Sequence, residues 1–257
     1  MKPIFSTALL VAISVATAPV LAQECSKTSP AHTVALFELY TSEGCDSCPA
    51  ADKFVSALYT TGKFSPDQVL ALALHVDYWD YIGWKDVYAK AQFSQRQRAL
   101  AELAGSRNVY TSEVFIGAKE LRNWRDGVPE AVRRINSQPA QAHITIGIDK
   151  LSEHTLSLRL QGKSAQSGKL HFALVEHSLL SKITAGENRG ATLLHDYVVR
   201  EWGEAIALTP LNSDSFARQI PLPGNAVRKN LALAAFIQSD KGTILQALSL
   251  PLCASLL

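Results

Sequence analysis

Apolar and polar positions follow two regimes along the chain. In the first, apolar runs alternate with stretches of helical spacing. Val34 to Tyr40 is a run rich in strand formers that stops at a polar turn ending in Gly44. Beyond Pro49, the residues Ala50, Ala51, Phe54, Val55 and Leu58 fall on one side of a helix. Val69 to Trp79 is almost continuously apolar and bounded by turn signals, which predicts a strand buried on both faces. The intermittent apolar face of Val87, Tyr88, Ala91, Leu100 and Leu103 predicts a helix from Asp86 to about Ala104. Asn108 to Gly117 reads as a strand, with Lys119 to Trp124 as its hairpin partner across Gly117 and Ala118. Asp126 is placed to cap a last helix from Val128 to about Asn136.

The second regime begins after a linker, Ser137 to Gln141. His143 to Asp149 and Thr155 to Leu160 alternate apolar with polar residues. Lys169 to Val175, Phe216 to Ile220, Leu231 to Ile237 and Ile244 to Leu250 continue the series. Short strands separated by turn signals predict an antiparallel β-sandwich. The expected fold class is therefore an α/β domain over residues 30–138, followed by an antiparallel β-sandwich domain over residues 142–257.

Composition narrows the function classes. The chain has 257 residues, 47% apolar and 19% charged, enough to bury a sizeable core. A formal charge of +2 with no basic run gives no reason to expect nucleic acid as a partner. At the N-terminus, Lys2, an apolar stretch from Ile4 to Pro19 and the small-residue site Val20-Leu21-Ala22 predict a signal peptide over residues 1–22. No other stretch is long and apolar enough to span a bilayer. The expected location is periplasmic or secreted.

Export places all four cysteines in an oxidising space. Cys45 and Cys48 form a C-x-x-C between the first strand and its helix, a thioredoxin-like arrangement. Pro49 fits a first helical turn, and the positive end of the helix favours a thiolate at Cys45. Cys45 would then attack a substrate sulfur and Cys48 would resolve the mixed disulfide. Asp46 opposes that thiolate. A permanent structural bridge and a metal clamp are the other readings of the same motif, although zinc would need two further ligands at matching spacing. Cys25 and Cys253 lie near the two ends of the mature chain and are expected to bridge, for roughly 5 kcal/mol at most on the chain-entropy model.

Other groups lie near the same predicted edge. His75 and Asp77 close the second apolar run, where His75 could move a proton and Asp77 accept its N–H, or both could hold the turn. Tyr78 to Trp84 is the densest aromatic segment, readable as a ligand rim or as a loop packed on its own rings. Between the later strands, His177, Glu187, His195 and Asp196 belong either to a loop docking on the first domain, to a ligand site, or to a hairpin held by polar turn contacts.

Three segments carry a resemblance. Phe37 to Asp52, His75 to Trp84, and Gly186 to Gly190 with His195 to Arg200 resemble, in that order, the exported bacterial proteins of domain of unknown function 1223 (DUF1223). The resemblance implies a thioredoxin-like domain followed by a β-rich one, with Cys45 and Cys48 as the family's dithiol and His75 and Asp77 as its polar strand end. Thioredoxin-like proteins usually place a cis-proline opposite the dithiol. Here the stretch is Tyr110-Thr111-Ser112, so the substrate groove expected from Trp79, Thr111 and Ser112 departs from that pattern.

Two function classes follow. The first is a thiol–disulfide oxidoreductase acting on exported protein thiols or disulfides, with no cofactor and no metal. The second is a non-catalytic binding module for a protein partner or a soft metal, with the C-x-x-C as a structural disulfide.

Overall fold

The computed structural model describes residues 25–211 and 215–257; the expected signal peptide, residues 1–22, lies outside them. The first half contains β1 (Ser26–Thr28), β2 (Ala35–Thr41), α1 (Cys48–Ser56), β3 (Val69–His75), α2 (Ala91–Leu103), β4 (Glu113–Ile116), β5 (Lys119–Glu120) and α3 (Trp124–Asn136). Strands follow to the end: β6 (Ala142–Leu151), β7 (Thr155–Ser164), β8 (Gly168–Glu176), β9 (Leu179–Lys182) and β10 (Thr192–His195). The last are β11 (Val198–Trp202), β12 (Ile206–Leu208), β13 (Ser215–Pro221), β14 (Leu231–Ser239) and β15 (Ile244–Pro251).

One nine-stranded sheet organises the molecule, in the order β15-β14-β8-β11-β3-β2-β4-β5 with β12 also paired to β8. A four-stranded sheet runs β1-β6-β7-β13, and β9 pairs with β10 alone. Every residue of β2 and β3 is buried, so both strands need cover on both faces and a neighbour on each edge. The alternation of side chains sorts that cover. Leu36, Leu70, Leu72, Leu74, Ala173, Val175, Ala232 and Phe236 pack on one face with Phe93 and Leu100 of α2. On the other face Phe37, Leu39, Val69 and Ala71 meet Val55 of α1 and Val128 and Val132 of α3. Farther along that sheet, Leu170, Phe172, Leu174, Leu231 and Leu233 pack against Ile144, Ile146, Leu158 and Leu160 of the four-stranded sheet.

This arrangement overturns the expected fold class. The chain is mostly β, and a thioredoxin-like α/β domain followed by a separate antiparallel sandwich is not what it forms. Strands from both halves join in the one large sheet, through β11 lying parallel to β3 with Val198 opposite Ala73, and Ala73 N donating to Tyr197 O at 2.8 Å. The physical reason is edge pairing. β3 takes β2 on one side and β11, from far along the chain, on the other. A strand's own pattern encodes burial of its faces and says nothing about which strand takes its edge.

Local expectations shift less. The hairpin across Gly117 and Ala118 forms, with Ile116 opposite Lys119 and both turn residues at positive φ. The helix expected from Asp86 begins instead at Ala91, because Asp86 turns inward as a buried acceptor. Cys25 and Cys253 are bonded, with Cα atoms 5.7 Å apart, and tie β1 to the C-terminal segment. Among the described residues no helix is long and apolar enough to cross a membrane.

Candidate functional site

The site starts where β2 ends. Ser42 turns the chain, accepting from Cys45 N through its carbonyl at 3.2 Å and from Gly44 N through Oγ at 3.1 Å. A Cβ on Gly44 would lie 3.3 Å from Trp79 Cβ, so glycine lets the aromatic loop close on this turn. Cys48 opens α1 with Pro49 in its first turn, and Cys45 is bonded to Cys48. Neither cysteine is open to solvent: Cys45 is 1% exposed and Cys48 0%.

The cover comes from the 186–190 loop between β9 and β10. Asn188 Nδ2 donates to the carbonyls of Glu43 and Cys45, each at 2.8 Å. Asp46 N donates to Glu187 Oε2 at 3.1 Å. Gly186 has φ +72°, and a Cβ there would come 3.1 Å from Trp84 Cβ, so the loop can lie on the aromatic segment only with glycine at this position.

Inside that cover lies a cluster of acids and histidines. His75 Nδ1 donates to Asp86 Oδ2 at 2.7 Å, both side chains fully buried. Asp86 also accepts from Glu43 N and Tyr88 N, each at 2.9 Å. The His195 ring lies 5.0 Å from that of His75. Its Nε2 is 3.3 Å from Glu43 Oε1 and its Nδ1 3.7 Å from Asp52 Oδ2, within ion-pair reach but outside hydrogen-bond geometry. Asp52 Oδ1 accepts from Thr41 Oγ1 at 2.9 Å, and Glu43 Oε2 accepts from Trp84 Nε1 at 2.8 Å.

Charge inside the cluster is set by burial and by neighbours. Burial opposes the imidazolium of His75, but Asp86 beside it, with Asp52 and Glu43 farther off, outweighs that and raises its pKa above the usual histidine value. Burial also works against the Asp86 carboxylate, and His75 more than compensates, holding Asp86 below the usual carboxylate range. Asp52 is pushed upward by burial, against the opposing pull of His195 and His75. Among the described residues no group of three or more His, Cys, Asp or Glu side chains is placed to hold a metal ion.

The sequence-predicted residues divide. Cys45, Cys48 and His75 belong to this one region. Asp77 does not accept from His75: its Oδ1 takes the Ser94 hydroxyl at 2.5 Å, anchoring α2, and Asp86 fills the role expected of it. Trp79 Nε1 donates to Thr111 Oγ1 at 2.7 Å, so Trp79 and Thr111 do meet, and the Thr111–Ser112 peptide bond is cis. Glu187 and His195 reach the dithiol region, as a docking loop would. Asp196 accepts from Ser178 N at 2.8 Å and His177 packs on Tyr197, holding the hairpin instead. Glu43, Asp52 and Asp86 were missed. The available signal was their polarity beside Gly44, in the helix after the dithiol, and just past the aromatic segment.

Fold and site together define a β-rich protein carrying a bonded cysteine pair and a buried acid–histidine cluster. The chain belongs to the family described as Protein of unknown function (DUF1223), whose model matches residues 36–238. Among solved structures it is similar to protein AGR_C_4864 from Agrobacterium tumefaciens, at 20% identity and a TM-score of 0.60, over 86% of this chain and 96% of that one. That likeness speaks to the fold alone. A match to a β-glucosidase from Kluyveromyces marxianus has 12% identity and a TM-score of 0.19, covers 39% of this chain and 12% of that one, and carries no argument. No curated protein matches the chain.

Proposed function

We propose that the chain is an exported thiol–disulfide oxidoreductase working through Cys45 and Cys48, with polypeptide thiols or disulfides as substrates. The observation that carries this reading is a buried acid–histidine cluster built on the same strand end and helix start as the bonded C-x-x-C, with Glu43 just before Cys45 and Asp52 one helical turn after Cys48. A bridge kept only for stability gains nothing from buried ionisable groups, which cost free energy wherever they lack partners. Groups with shifted proton affinity beside a reactive centre are what proton-coupled exchange uses. In this reading Cys45 exchanges with the substrate sulfur and Cys48 resolves. His75, held by Asp86, places a positive charge beside Asp52 and Glu43 in the cluster. Trp79, Thr111 and Ser112 line the approach, and the 186–190 loop must lift before a substrate enters. No diffusible cofactor is called for.

The burial of both cysteines favours a second reading, in which the bridge is structural and the chain is a periplasmic or secreted binding module. The reduction potential separates the two. A Cys45–Cys48 couple between about −270 and about −120 mV supports exchange, and one below about −300 mV with both sulfurs inert supports the module.

A further inference from the structure

Five buried polar atoms in the cluster lack a hydrogen-bond partner: Glu43 Oε1, Asp52 Oδ2, His75 Nε2 and both ring nitrogens of His195. Four of them face one another within ion-pair reach without forming hydrogen bonds, an arrangement that stability alone does not favour. Their arrangement has a direction. Asp52 follows Cys48 by four residues in α1, which puts both on one helix face, and both are buried. His195 stands between Asp52, on its Nδ1 side, and Glu43, on its Nε2 side. Glu43 in turn is held by Trp84, a half-buried residue of the aromatic loop.

We propose that Asp52, His195 and Glu43 form a buried proton relay for Cys48, so that opening the Cys45–Cys48 bond is matched by proton delivery inside the fold. The proposal rests on the exchange reading above. A substrate dithiol loses a proton from one sulfur, and that thiolate attacks Cys45 Sγ. A substrate–Cys45 bond forms, the Cys45–Cys48 bond breaks, and its electron pair leaves on Cys48 Sγ. That sulfur is sealed from water, so its proton comes from within: from the Asp52 carboxyl, with His195 and then Glu43 next along the chain of groups. The second substrate thiol then gives its proton to solvent, attacks the substrate sulfur bonded to Cys45, and releases Cys45 as a thiolate. The substrate is oxidised to a disulfide and the protein pair is reduced; the reverse direction uses the same groups.

The surroundings suit this role. Burial favours the protonated carboxyl of Asp52, the form a donor needs, while His195 and His75 pull against it. Among the described residues, the other titratable groups against the cluster are Asp86, from the loop after β3, and Tyr88, whose ring lies 5.3 Å from that of His75 and 5.9 Å from that of His195. Arg200 of β11 stacks on Tyr88 and pairs with Glu176.

The test is the rate at which dithiothreitol reduces the oxidised mature chain, followed between about pH 5 and pH 9, where histidines and buried carboxyls titrate. Asp52→Asn is expected to slow reduction by about a hundredfold and to flatten its pH profile, with Asp52→Glu recovering part of the rate. Wild-type reduction is expected to slow in heavy water, and His195→Gln is expected to remove that slowing. It also carries the test if Asp52→Asn fails to fold. Folded Asp52→Asn or His195→Gln proteins with wild-type rates, pH profiles and isotope effects would overturn the relay and leave exchange standing. A wild-type bond that dithiothreitol opens only after unfolding would overturn both.

Discussion

Asn188 binds the carbonyls of Glu43 and Cys45 with one amide group, each at 2.8 Å, and so pins a late loop onto the turn that carries the dithiol. Removing the amide orphans both carbonyls at a cost of about 1–3 kcal/mol. We expect Asn188→Ala to lower the melting temperature and to speed alkylation of Cys45 in the reduced protein. An alkylation rate equal to that of the wild type would mean that this loop does not govern access.

The His75–Asp86 pair gives stability a pH window. The pKa of His75 is raised on folding, so its contribution is complete below its unfolded value of about 6.5 and fades as pH climbs through the higher folded value. Asp86 is lowered on folding, so its contribution is complete above about 3.9 and fades as pH falls through the folded value. Asp86→Asn should flatten both limbs in a series of thermal melts across pH. A variant that keeps the wild-type curve would assign the pH dependence to other groups.

Glu113 adds a slope of its own. Burial lifts its carboxyl from 4.5 to about 7, against a hydrogen bond from Gln97 Nε2 at 2.6 Å. Between those two values the folded chain holds a proton that the unfolded chain has released, so stability falls as pH rises across the interval. Glu113→Gln keeps the shape and removes the titration. Denaturant melts of the variant at the two ends of the interval should then differ less than those of the wild type.

The terminal bridge is testable without reference to the site. Cys25→Ser with Cys253→Ser should cost about 2–5 kcal/mol, read as a shift of the denaturant midpoint. The Cys45–Cys48 potential should stay put in that variant. A change in that potential would mean that the clamp on β1 reaches the dithiol.

How much of this was legible beforehand follows from what sequence patterns encode. The largely apolar runs of β2 and β3, the hairpin at Gly117 and the alternation of β6, β7 and β8 are legible, because burial of a face leaves a period in the chain. The C-x-x-C did so by spacing. The partnership of β3 with β11 did not, since nothing in either strand names the other. Asp77 looks like the partner of His75 because two residues apart on a continuing strand share a face. But the strand ends at His75, Asp77 turns to Ser94, and the following loop brings Asp86 there instead. The meeting of His195 with Glu43 and Asp52 has no local signature: each is a polar residue beside a turn or in a helix until the large sheet closes.

The order of synthesis has consequences for a sheet closed in this way. Cys45 and Cys48 leave the ribosome early, while β11, which supplies the far edge of β3, and His195, which completes the cluster, come much later. A nascent chain ending at the Ser137–Gln141 stretch carries the dithiol beside an open strand edge, a surface prone to pair with other chains. The cysteine pair is thus available to passing oxidants and thiols before its lid and its buried histidine exist. The burial of both sulfurs is therefore among the last features of the fold to form, complete only when nearly the whole chain has been delivered.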